Sequence, residues 1–156
     1  MKTLIVYATT HGCTEKCAQK VRDGLSGDID MVNLKQNARV DPAAYDTVII
    51  GGSIHAGRIQ GRVKKFYTAN QEVLLTKKLG LFICHMEEDN AQKELDDNYP
   101  EALRNHATAK GLFGGTFDFE KMNFVAKAIV KKVGNVTESV NNVNESAIKQ
   151  FITDIK

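Results

Sequence analysis

The sequence lacks the long apolar run of a membrane-spanning protein. No uninterrupted stretch of its 156 residues approaches the ~20 apolar residues that cross a bilayer. The N-terminus also lacks the basic flank, the long hydrophobic core and the small-residue cleavage site of a signal peptide. A chain of this length fits one domain, so we expect residues 1–156 to form a single unit.

Cysteine is sparse and the net charge is small, and both facts exclude classes of function. The three cysteines, Cys13, Cys17 and Cys84, are an odd number and too few for a secreted disulfide scaffold, which favours the reducing cytoplasm. A formal net charge of +2, with lysine and arginine spread along the chain, provides no basic patch for nucleic acid. We therefore expect a cytoplasmic protein that does not bind nucleic acid.

Apolar runs bounded by turn residues predict the strands of a sheet. Three runs are continuous, which is typical of strands covered on both faces: 4–7, 47–50 and 79–84. Residues 28–34 alternate polar and apolar side chains, as a half-exposed edge strand does. Residues 111–117 predict a weaker strand, in which Gly114-Gly115 marks a bulge or a close backbone approach.

Helical patterns separate these strands. A stripe near the C-terminus, after Asn144 as a cap, consists of Ile148, Phe151, Ile152 and Ile155. Pro100 should divide the helical sequence after Asn90 into two pieces. Strands that alternate with helices predict an α/β three-layer sandwich with a five-stranded parallel sheet. Placing 28–34 on an edge gives the strand order 2-1-3-4-5, whose switch point lies between the first and third strands.

Three loops converge at this switch point, beyond the carboxyl ends of the strands: 9–14, 51–58 and 84–89. The first loop leads into a helix, whose unpaired N–H groups and dipole attract an anion. Three threonines offer hydroxyl donors, Gly12 permits a tight turn, and no lysine or arginine lies between Lys2 and Lys16. We therefore predict that dipoles and hydroxyl groups hold a phosphate here, without a cation.

Two other phosphate-handling classes lack their signatures. Neither G-x-G-x-x-G nor G-x-x-x-x-G-K-[ST] occurs, which excludes the common dinucleotide and P-loop sites. A phosphoacceptor signalling domain shares the 2-1-3-4-5 order, but it needs an acidic cluster after the first strand and an aspartate at the end of the third. This chain has Thr9-Thr10 and Gly51-Gly52 at those places, so that class is excluded too.

The loop motifs resemble those of a known family. ATTHGCT, GGSIHAG and CHMEED resemble the three flavin-contacting loops of the flavodoxin-like superfamily. GGSIHAGRIQGRVKKF is similar to the branch that includes the menaquinone-linked protoporphyrinogen dehydrogenase of haem synthesis. The resemblance covers nearly the whole chain, and that branch also has an inserted, partly helical segment between the last strand and the last helix. It implies a flavodoxin-like fold and flavin mononucleotide (FMN) as the cofactor.

The resemblance also implies which residues bind the cofactor. The first loop is implied to hold the FMN phosphate through Thr9, Thr10, His11, Gly12, Cys13 and Thr14. The second loop is implied to flank the isoalloxazine ring through Gly52, Ser53, Ile54, His55, Ala56 and Gly57. The third loop is implied to flank its other side through His85, Met86 and Glu87. The sequence identifies no general base or substrate pocket, so no catalytic residue is predicted.

The chain departs from short-chain flavodoxins in two features that bear on the flavin. Those proteins commonly stack the ring between tryptophan and tyrosine, whereas this chain has no tryptophan, and loops 53–57 and 84–89 contain no aromatic residue except histidine. They are also usually strongly acidic, whereas this chain carries a net charge of +2. Both differences make the negatively charged reduced flavin less unfavourable. We expect its second reduction step to have a less negative potential than in acidic flavodoxins.

The histidines and cysteines near these loops have alternative interpretations. His55 and His85 can donate to the flavin or tune its charge, or they can face solvent. Cys13, Cys17, His11 and His85 invite a metal interpretation. However, Cys13 and Cys17 lack the closer spacing and the four clear ligands of zinc sites. We therefore expect no metal, with Cys17 and Cys84 packed in the core.

Residues 118–134 combine an apolar stripe with lysines away from it. A basic amphipathic helix of this kind can lie on an anionic membrane surface or dock a partner. The simpler alternative is a surface helix that packs its stripe on the domain. A peripheral membrane contact through this segment therefore stays open.

Three functions remain after these exclusions. The leading prediction is an FMN redox protein that transfers electrons between a reductase and either a partner protein or a small-molecule acceptor such as a quinone. The second is a flavin-dependent oxidoreductase of the protoporphyrinogen dehydrogenase type. The third is a flavin-free structural module.

Overall fold

A parallel sheet forms the centre of the fold. The computed structural model describes residues 2–86, 88–117, 140–141 and 143–156. Its main sheet contains β1 (Lys2–Tyr7), β2 (Asp28–Asn33), β3 (Thr47–His55), β4 (Arg58–Ile59), β5 (Lys78–Cys84) and β6 (Ala109–Leu112). Five of these strands are parallel, in the order β2-β1-β3-β5-β6, whereas β4 pairs with β3 in the antiparallel direction. Counted without β4, this is the predicted order 2-1-3-4-5.

Six α-helices lie in the described part of the chain. They are α1 (Cys13–Asp23), α2 (Gly61–Ala69), α3 (Gln71–Leu74), α4 (Ala91–Asn98), α5 (Glu101–His106) and α6 (Glu145–Ile155). Short 3-10 turns occupy Pro42–Ala44 and Glu88–Asn90. After β6, a separate two-stranded antiparallel sheet pairs β7 (Thr116–Phe117) with β8 (Val140–Asn141). The predicted helix at 118–134 lies outside the described residues, and none of the described helices has the length and apolar character to cross a membrane.

Alternating side chains of the central strands fill two separate cores. On one face of β3, Val48 and Ile50 are fully buried in a core that includes residues of α2, α4 and α5. On the other face, Ile49 is fully buried in a core that includes residues of α1 and α6. A continuous apolar run therefore does mark a strand covered on both faces, as predicted. β2 is half-buried along most of its length and lies at an edge, also as predicted.

Two helix boundaries predicted from the sequence, at Asn144 and near Pro100, are found in the structure. The Asn144 side chain accepts a hydrogen bond from the Ala147 N–H at 3.0 Å, at the start of α6. The division near Pro100 is confirmed, because α4 ends at Asn98 and α5 begins at Glu101. Pro100 itself occupies the N-cap position of α5 rather than its first helical position.

The second predicted loop, 51–58, is in fact a strand extension followed by a hairpin. β3 continues to His55, which pairs with Arg58 of β4. The two residues between them have left-handed backbones, with φ of 52° at Ala56 and 78° at Gly57, as a type I′ turn requires. The sequence did not predict this extension of β3, because Gly51 and Gly52 lie inside it and glycine weakens a strand pattern.

Ala56 is strained by this turn, so replacing it should stabilise the protein. A residue with a Cβ pays about 1–2 kcal/mol in the left-handed region, whereas asparagine tolerates it. We expect Ala56→Asn, which creates the preferred type I′ pair with Gly57, to raise the free energy of unfolding by about 0.5–1 kcal/mol. Urea denaturation measures this change.

Ala44→Asn is the matched control for this prediction. Ala44 is an exposed alanine in a 3-10 turn, and its φ is not positive. It should gain no stability. An equal gain in both variants, or no gain from Ala56→Asn, would contradict the strain assigned to the hairpin.

Candidate functional site

A pocket opens beyond the carboxyl ends of β1, β3 and β5, at the predicted switch point. Residues of all three predicted loops line it, including Cys84 of the third, and so does Gly115. The predicted residues in its lining are Thr9, His11, Cys13, Thr14, Ser53, Ile54, His55, His85 and Met86. The predicted residues that do not line it are Thr10, Gly12, Gly52, Ala56 and Gly57. Glu87 lies outside the described residues.

The N-terminus of α1 borders this pocket. Gly12 is its N-cap and has a left-handed φ of 91°, a conformation that glycine adopts without steric strain. Because glycine has no side chain, it leaves the N–H groups of the first turn without a side-chain cap. Those groups and the helix dipole together form an anion site.

Thr14 places a buried hydroxyl at this helix terminus. The residue is 1% exposed, and no group in the described part of the chain forms a hydrogen bond with its Oγ1. A buried hydroxyl without a partner costs about 1–3 kcal/mol, so folded proteins rarely retain one. A phosphate at the N-terminus of α1 would accept this hydrogen bond. The residues present therefore fit the predicted ligand.

Thr9 shapes the first loop before any ligand binds. Its Oγ1 accepts a hydrogen bond from the Gly12 N–H at 2.8 Å, which closes the turn ahead of α1. The Ala8 N–H donates to the Gly51 carbonyl oxygen at 3.3 Å, which joins the start of this loop to β3. Such preorganisation lowers the entropy cost of holding a ligand.

Gln60, which the sequence did not single out, connects the first and second loops. Its Nε2 donates to the Ala8 carbonyl oxygen at 3.2 Å and to Ser53 Oγ at 2.6 Å. Its Oε1 accepts a hydrogen bond from the Ser53 N–H at 2.9 Å. A single half-buried amide thus fixes Ser53, a pocket-lining residue, relative to the end of β1.

Removing the Gln60 amide should loosen the pocket without destroying the fold. We expect Gln60→Ala to weaken ligand binding by roughly 5- to 10-fold, since each hydrogen bond contributes about 0.5–1.5 kcal/mol. The Ser53 amide should also exchange its hydrogen faster, because it loses its acceptor. Hydrogen-exchange mass spectrometry of the 51–60 segment measures the second effect.

Gln150→Ala is the control for this change, since Gln150 is an exposed residue of α6 that pairs with Asp154. It should alter neither ligand affinity nor exchange at Ser53. If Gln60→Ala left both quantities unchanged, the bridging role of Gln60 would be wrong.

His11 and His55 bring the first and second loops together on the pocket wall. Their ring centroids lie 6.2 Å apart in an edge-on arrangement, and Ser53 Oγ lies 3.0 Å from His55 Nε2. Desolvation by the surrounding protein, and after it the charge of the neighbouring His11, lowers the pKa of His55 below its ordinary value. His55 is therefore neutral at pH 7 and adds no net charge to the pocket.

His85 is buried, which rules out the solvent-facing alternative for this residue. It is 4% exposed, and its Nε2 accepts a hydrogen bond from the Gly114 N–H at 3.1 Å. The backbone N–H of His85 donates to the Gly114 carbonyl oxygen at 2.8 Å. Because Nε2 acts as an acceptor, it carries no proton and the ring is neutral. His85 thus attaches the third predicted loop to the chain that follows β6.

That following chain forms a fourth loop at the site, and the prediction of a single strand over 111–117 is wrong. β6 ends at Leu112, and the left-handed Gly114, with φ of 73°, turns the chain before β7. A Cβ on Gly115 would lie 2.9 Å from the His85 carbonyl oxygen. The close backbone approach predicted for the glycine pair is therefore confirmed, although its connection with the pocket was not predicted.

The fold and the site together define a class of protein. A doubly wound α/β sheet places the pocket at its switch point, where such sheets bind nucleotide-like ligands. Among the described lining residues there is no lysine or arginine, so main-chain amides and hydroxyl groups provide the anion-binding end. This is a doubly wound α/β domain whose switch-point pocket has the groups to hold an anion.

A comparison with protein-family models identifies the family to which this chain belongs. The family model described as "Flavodoxin domain" matches residues 4–144, so the chain belongs to the flavodoxin domain family. A comparison with curated proteins finds no match.

Solved flavodoxin structures share this fold. Flavodoxin 1 from Bacillus cereus is 17% identical, with a TM-score of 0.58 and coverage of 99% of this chain and 97% of that one. The flavodoxin of Streptococcus pneumonia TIGR4 is 18% identical, with a TM-score of 0.58 and coverage of 99% and 95%. A Fusobacterium nucleatum flavodoxin bound to flavin mononucleotide is 14% identical, with a TM-score of 0.54 and coverage of 99% and 96%. The chain is thus a distant structural relative of these proteins.

Proposed function

We propose that this protein binds FMN and serves as a flavodoxin-like electron-transfer protein. The observation that carries this proposal is the buried Thr14 hydroxyl at the N-terminus of α1, which is left without a partner by the described residues. Membership of the flavodoxin domain family supports it. The Fusobacterium nucleatum relative, which is bound to flavin mononucleotide, identifies a ligand that carries such a phosphate.

The residues predicted from the sequence, whether or not they line the pocket, divide between the two ends of this ligand. Thr9, Thr10, His11, Gly12, Cys13 and Thr14 would surround the phosphate, with the Thr14 hydroxyl and the first-turn N–H groups donating to it. Gly52, Ser53, Ile54, His55, Ala56 and Gly57 would flank the ring on one side, and His85, Met86 and Glu87 on the other. Bound flavin supplies the redox chemistry, accepting and donating electrons one or two at a time. The protein holds it, and the neutral His55 and His85 add no charge beside it.

The cofactor can be tested on the protein as purified. Visible absorption of the native protein, and release of FMN on denaturation, are the expected results. If the protein is purified without flavin, adding FMN to it should restore the flavin spectrum of a bound cofactor. A colourless protein that FMN does not bind would instead support a flavin-free structural module.

The potential of the flavin is a further expectation of this proposal. The described pocket lining contains no aromatic residue except histidine and no acidic residue, so repulsion of the negatively charged reduced flavin should be weak. We expect the second reduction step to occur at a less negative potential than in acidic flavodoxins. A spectroscopic redox titration measures it, and a strongly negative value for that step would contradict the expectation.

The electron acceptor is either a redox partner protein or a small molecule such as a quinone. The motif GGSIHAGRIQGRVKKF supports a narrower second candidate, the quinone-linked oxidation of a porphyrinogen. Turnover of protoporphyrinogen with a menaquinone analogue tests it, with reduction by cytoplasmic flavin reductases as the parallel assay. Reduction by a reductase without porphyrinogen turnover would favour the electron-transfer protein.

The same proposal places the protein in the cytoplasm, with a peripheral membrane contact through residues 118–134 as the alternative to a surface helix. Sedimentation with anionic vesicles separates these two cases. Co-sedimentation that disappears when residues 118–134 are deleted, while FMN binding is retained, would support the membrane contact.

A further inference from the structure

Three cysteines meet beside the pocket. Cys13 is the first residue of α1, Cys17 lies one turn later on the same helix, and Cys84 is the last residue of β5. Their Sγ atoms all lie within 4.8 Å of one another, and those of Cys17 and Cys84 are 3.6 Å apart. Cys17 and Cys84 are 0% and 2% exposed, whereas Cys13 is half-buried and lines the pocket.

We propose that Cys13, Cys17 and Cys84 form a three-thiolate site for a soft, low-coordinate metal cation of the Cu(I) class. Three sulfur atoms around one ion in a plane lie about 4.0 Å apart, if the metal–sulfur distance is about 2.3 Å as for zinc. The Sγ atoms of Cys17 and Cys84 are 3.6 Å apart, and no Sγ pair is more than 4.8 Å apart, so a separation of about 4.0 Å is within reach. Small side-chain rotations therefore suffice to coordinate an ion.

The ligand set favours Cu(I) over the harder or more highly coordinated ions. Thiolates select soft metals, and imidazole or carboxylate ligands would broaden the choice. A structural Zn²⁺ takes four ligands, but no histidine, aspartate or glutamate of the described residues joins the three cysteines. Burial of Cys17 and Cys84 also limits access of a water molecule as the fourth ligand. Cys13, at the pocket wall, provides the route by which an ion can enter.

The two buried thiols of the metal-free cluster, Cys17 and Cys84, favour the protonated form. Hydrogen bonding to Cys13, together with burial, raises the pKa of Cys17 to about 12, and hydrogen bonds from the other two thiols and burial raise the pKa of Cys84 well above its ordinary value. Each thiol that binds the ion must therefore release its proton to solvent. The N-terminal end of the α1 dipole, where Cys13 lies, favours the thiolate form that results.

The spacing of Cys13 and Cys17 alone predicted no metal site. The third ligand, Cys84, lies 67 residues beyond Cys17 in the sequence, and only the pairing of β5 within the sheet brings it next to α1. The cluster contains all three cysteines of the chain. Metal binding that requires a cysteine of this chain must therefore involve this cluster.

Anaerobic titration of the full-length, flavin-free protein with Cu(I) tests the proposal, with bathocuproine disulfonate as the competing chelator. We expect one Cu(I) per chain, an ultraviolet thiolate-to-copper charge-transfer band, and three sulfur neighbours by X-ray absorption spectroscopy. Thiol counting on denatured protein first establishes that all three cysteines are reduced. Because no flavin is present, failure of this test is separate from failure of FMN binding.

Variants locate the site. Cys84→Ala and Cys13→Ser should each lower the Cu(I) affinity by more than the roughly 10- to 100-fold typical of outer-shell mutations. Met31→Leu, which removes a different sulfur packed against the same core, should leave the affinity unchanged. If circular dichroism shows that Cys84→Ala does not fold, Cys13→Ser decides alone, because its side chain is half-buried.

Three results would overturn the proposal. Cu(I) could remain entirely with the chelator, it could bind Cys84→Ala or Cys13→Ser as tightly as the unmodified chain, or only two sulfur neighbours could be found. In each case the three cysteines would not form a three-thiolate metal site.

Discussion

Replacing Thr14 with valine should weaken FMN binding by roughly 10- to 100-fold and leave the free protein equally or more stable. Valine keeps the shape of the side chain and removes only the hydroxyl group. A hydrogen bond to a charged group contributes about 1.5–3 kcal/mol, which corresponds to this loss of affinity at about 1.4 kcal/mol per factor of ten. Fluorescence titration of the flavin-free variant with FMN measures it.

The stability of the Thr14→Val variant distinguishes a ligand contact from a structural one. No described group hydrogen-bonds to Thr14 Oγ1 in the free protein, so denaturation in urea should show no loss of stability. Thr47→Val provides the matched control, since Thr47 is also a buried threonine but begins β3 at the opposite end of the sheet. If Thr14→Val destabilised the protein but bound FMN normally, the proposed contact between Thr14 and the phosphate would be wrong.

Gly51→Ala should destabilise the protein by about 3 kcal/mol or more, the upper end of the cost of overpacking a core. A Cβ at Gly51 would lie 1.9 Å from Phe82 Cζ and within 2.4 Å of two further ring atoms. The Phe82 ring cannot move aside, because it stacks on Phe113 at 4.7 Å and meets Phe151 edge-on at 6.0 Å. Chemical denaturation, or loss of soluble expression, measures the effect.

Gly61→Ala is the control for this clash. A Cβ at Gly61, the first residue of α2, would meet no atom within 4 Å, and alanine is the better helix former. This variant should be neutral or slightly stabilised. If Gly51→Ala were tolerated as well as Gly61→Ala, the packing assigned to the Gly51–Phe82 contact would be incorrect.

The sheet was predictable because its strands are buried on both faces. Residues such as Val48, Ile49 and Ile50 show that burial directly as a continuous apolar run, and the alternating pattern of β2 marked the edge. The hairpin was not predictable, because the strand extends through two glycines and its turn includes Ala56 in a conformation that alanine rarely adopts. Local sequence cannot report a conformation that tertiary contacts impose.

The meeting of three loops at the candidate site was predictable from the strand order, but the side-chain contacts that join them were not. The first loop combines its threonines and Gly12 in one short stretch ahead of a helix. Gln60, by contrast, contacts Ala8, which lies 52 residues earlier, and nothing around Gln60 in the sequence signals that bond. His85 and Gly114 are 29 residues apart and meet through two hydrogen bonds. Contacts of this kind depend on the strand order, so they became visible only with the fold.

The affinity of the flavin-free protein for FMN, compared with its affinity for riboflavin, tests the phosphate site most directly. The two ligands share the isoalloxazine ring and differ only in the phosphate. Because at least two charge-assisted hydrogen bonds depend on that group, we predict that riboflavin binds at least about 100-fold more weakly than FMN. Equal affinities for the two ligands, or no binding of either, would contradict the account.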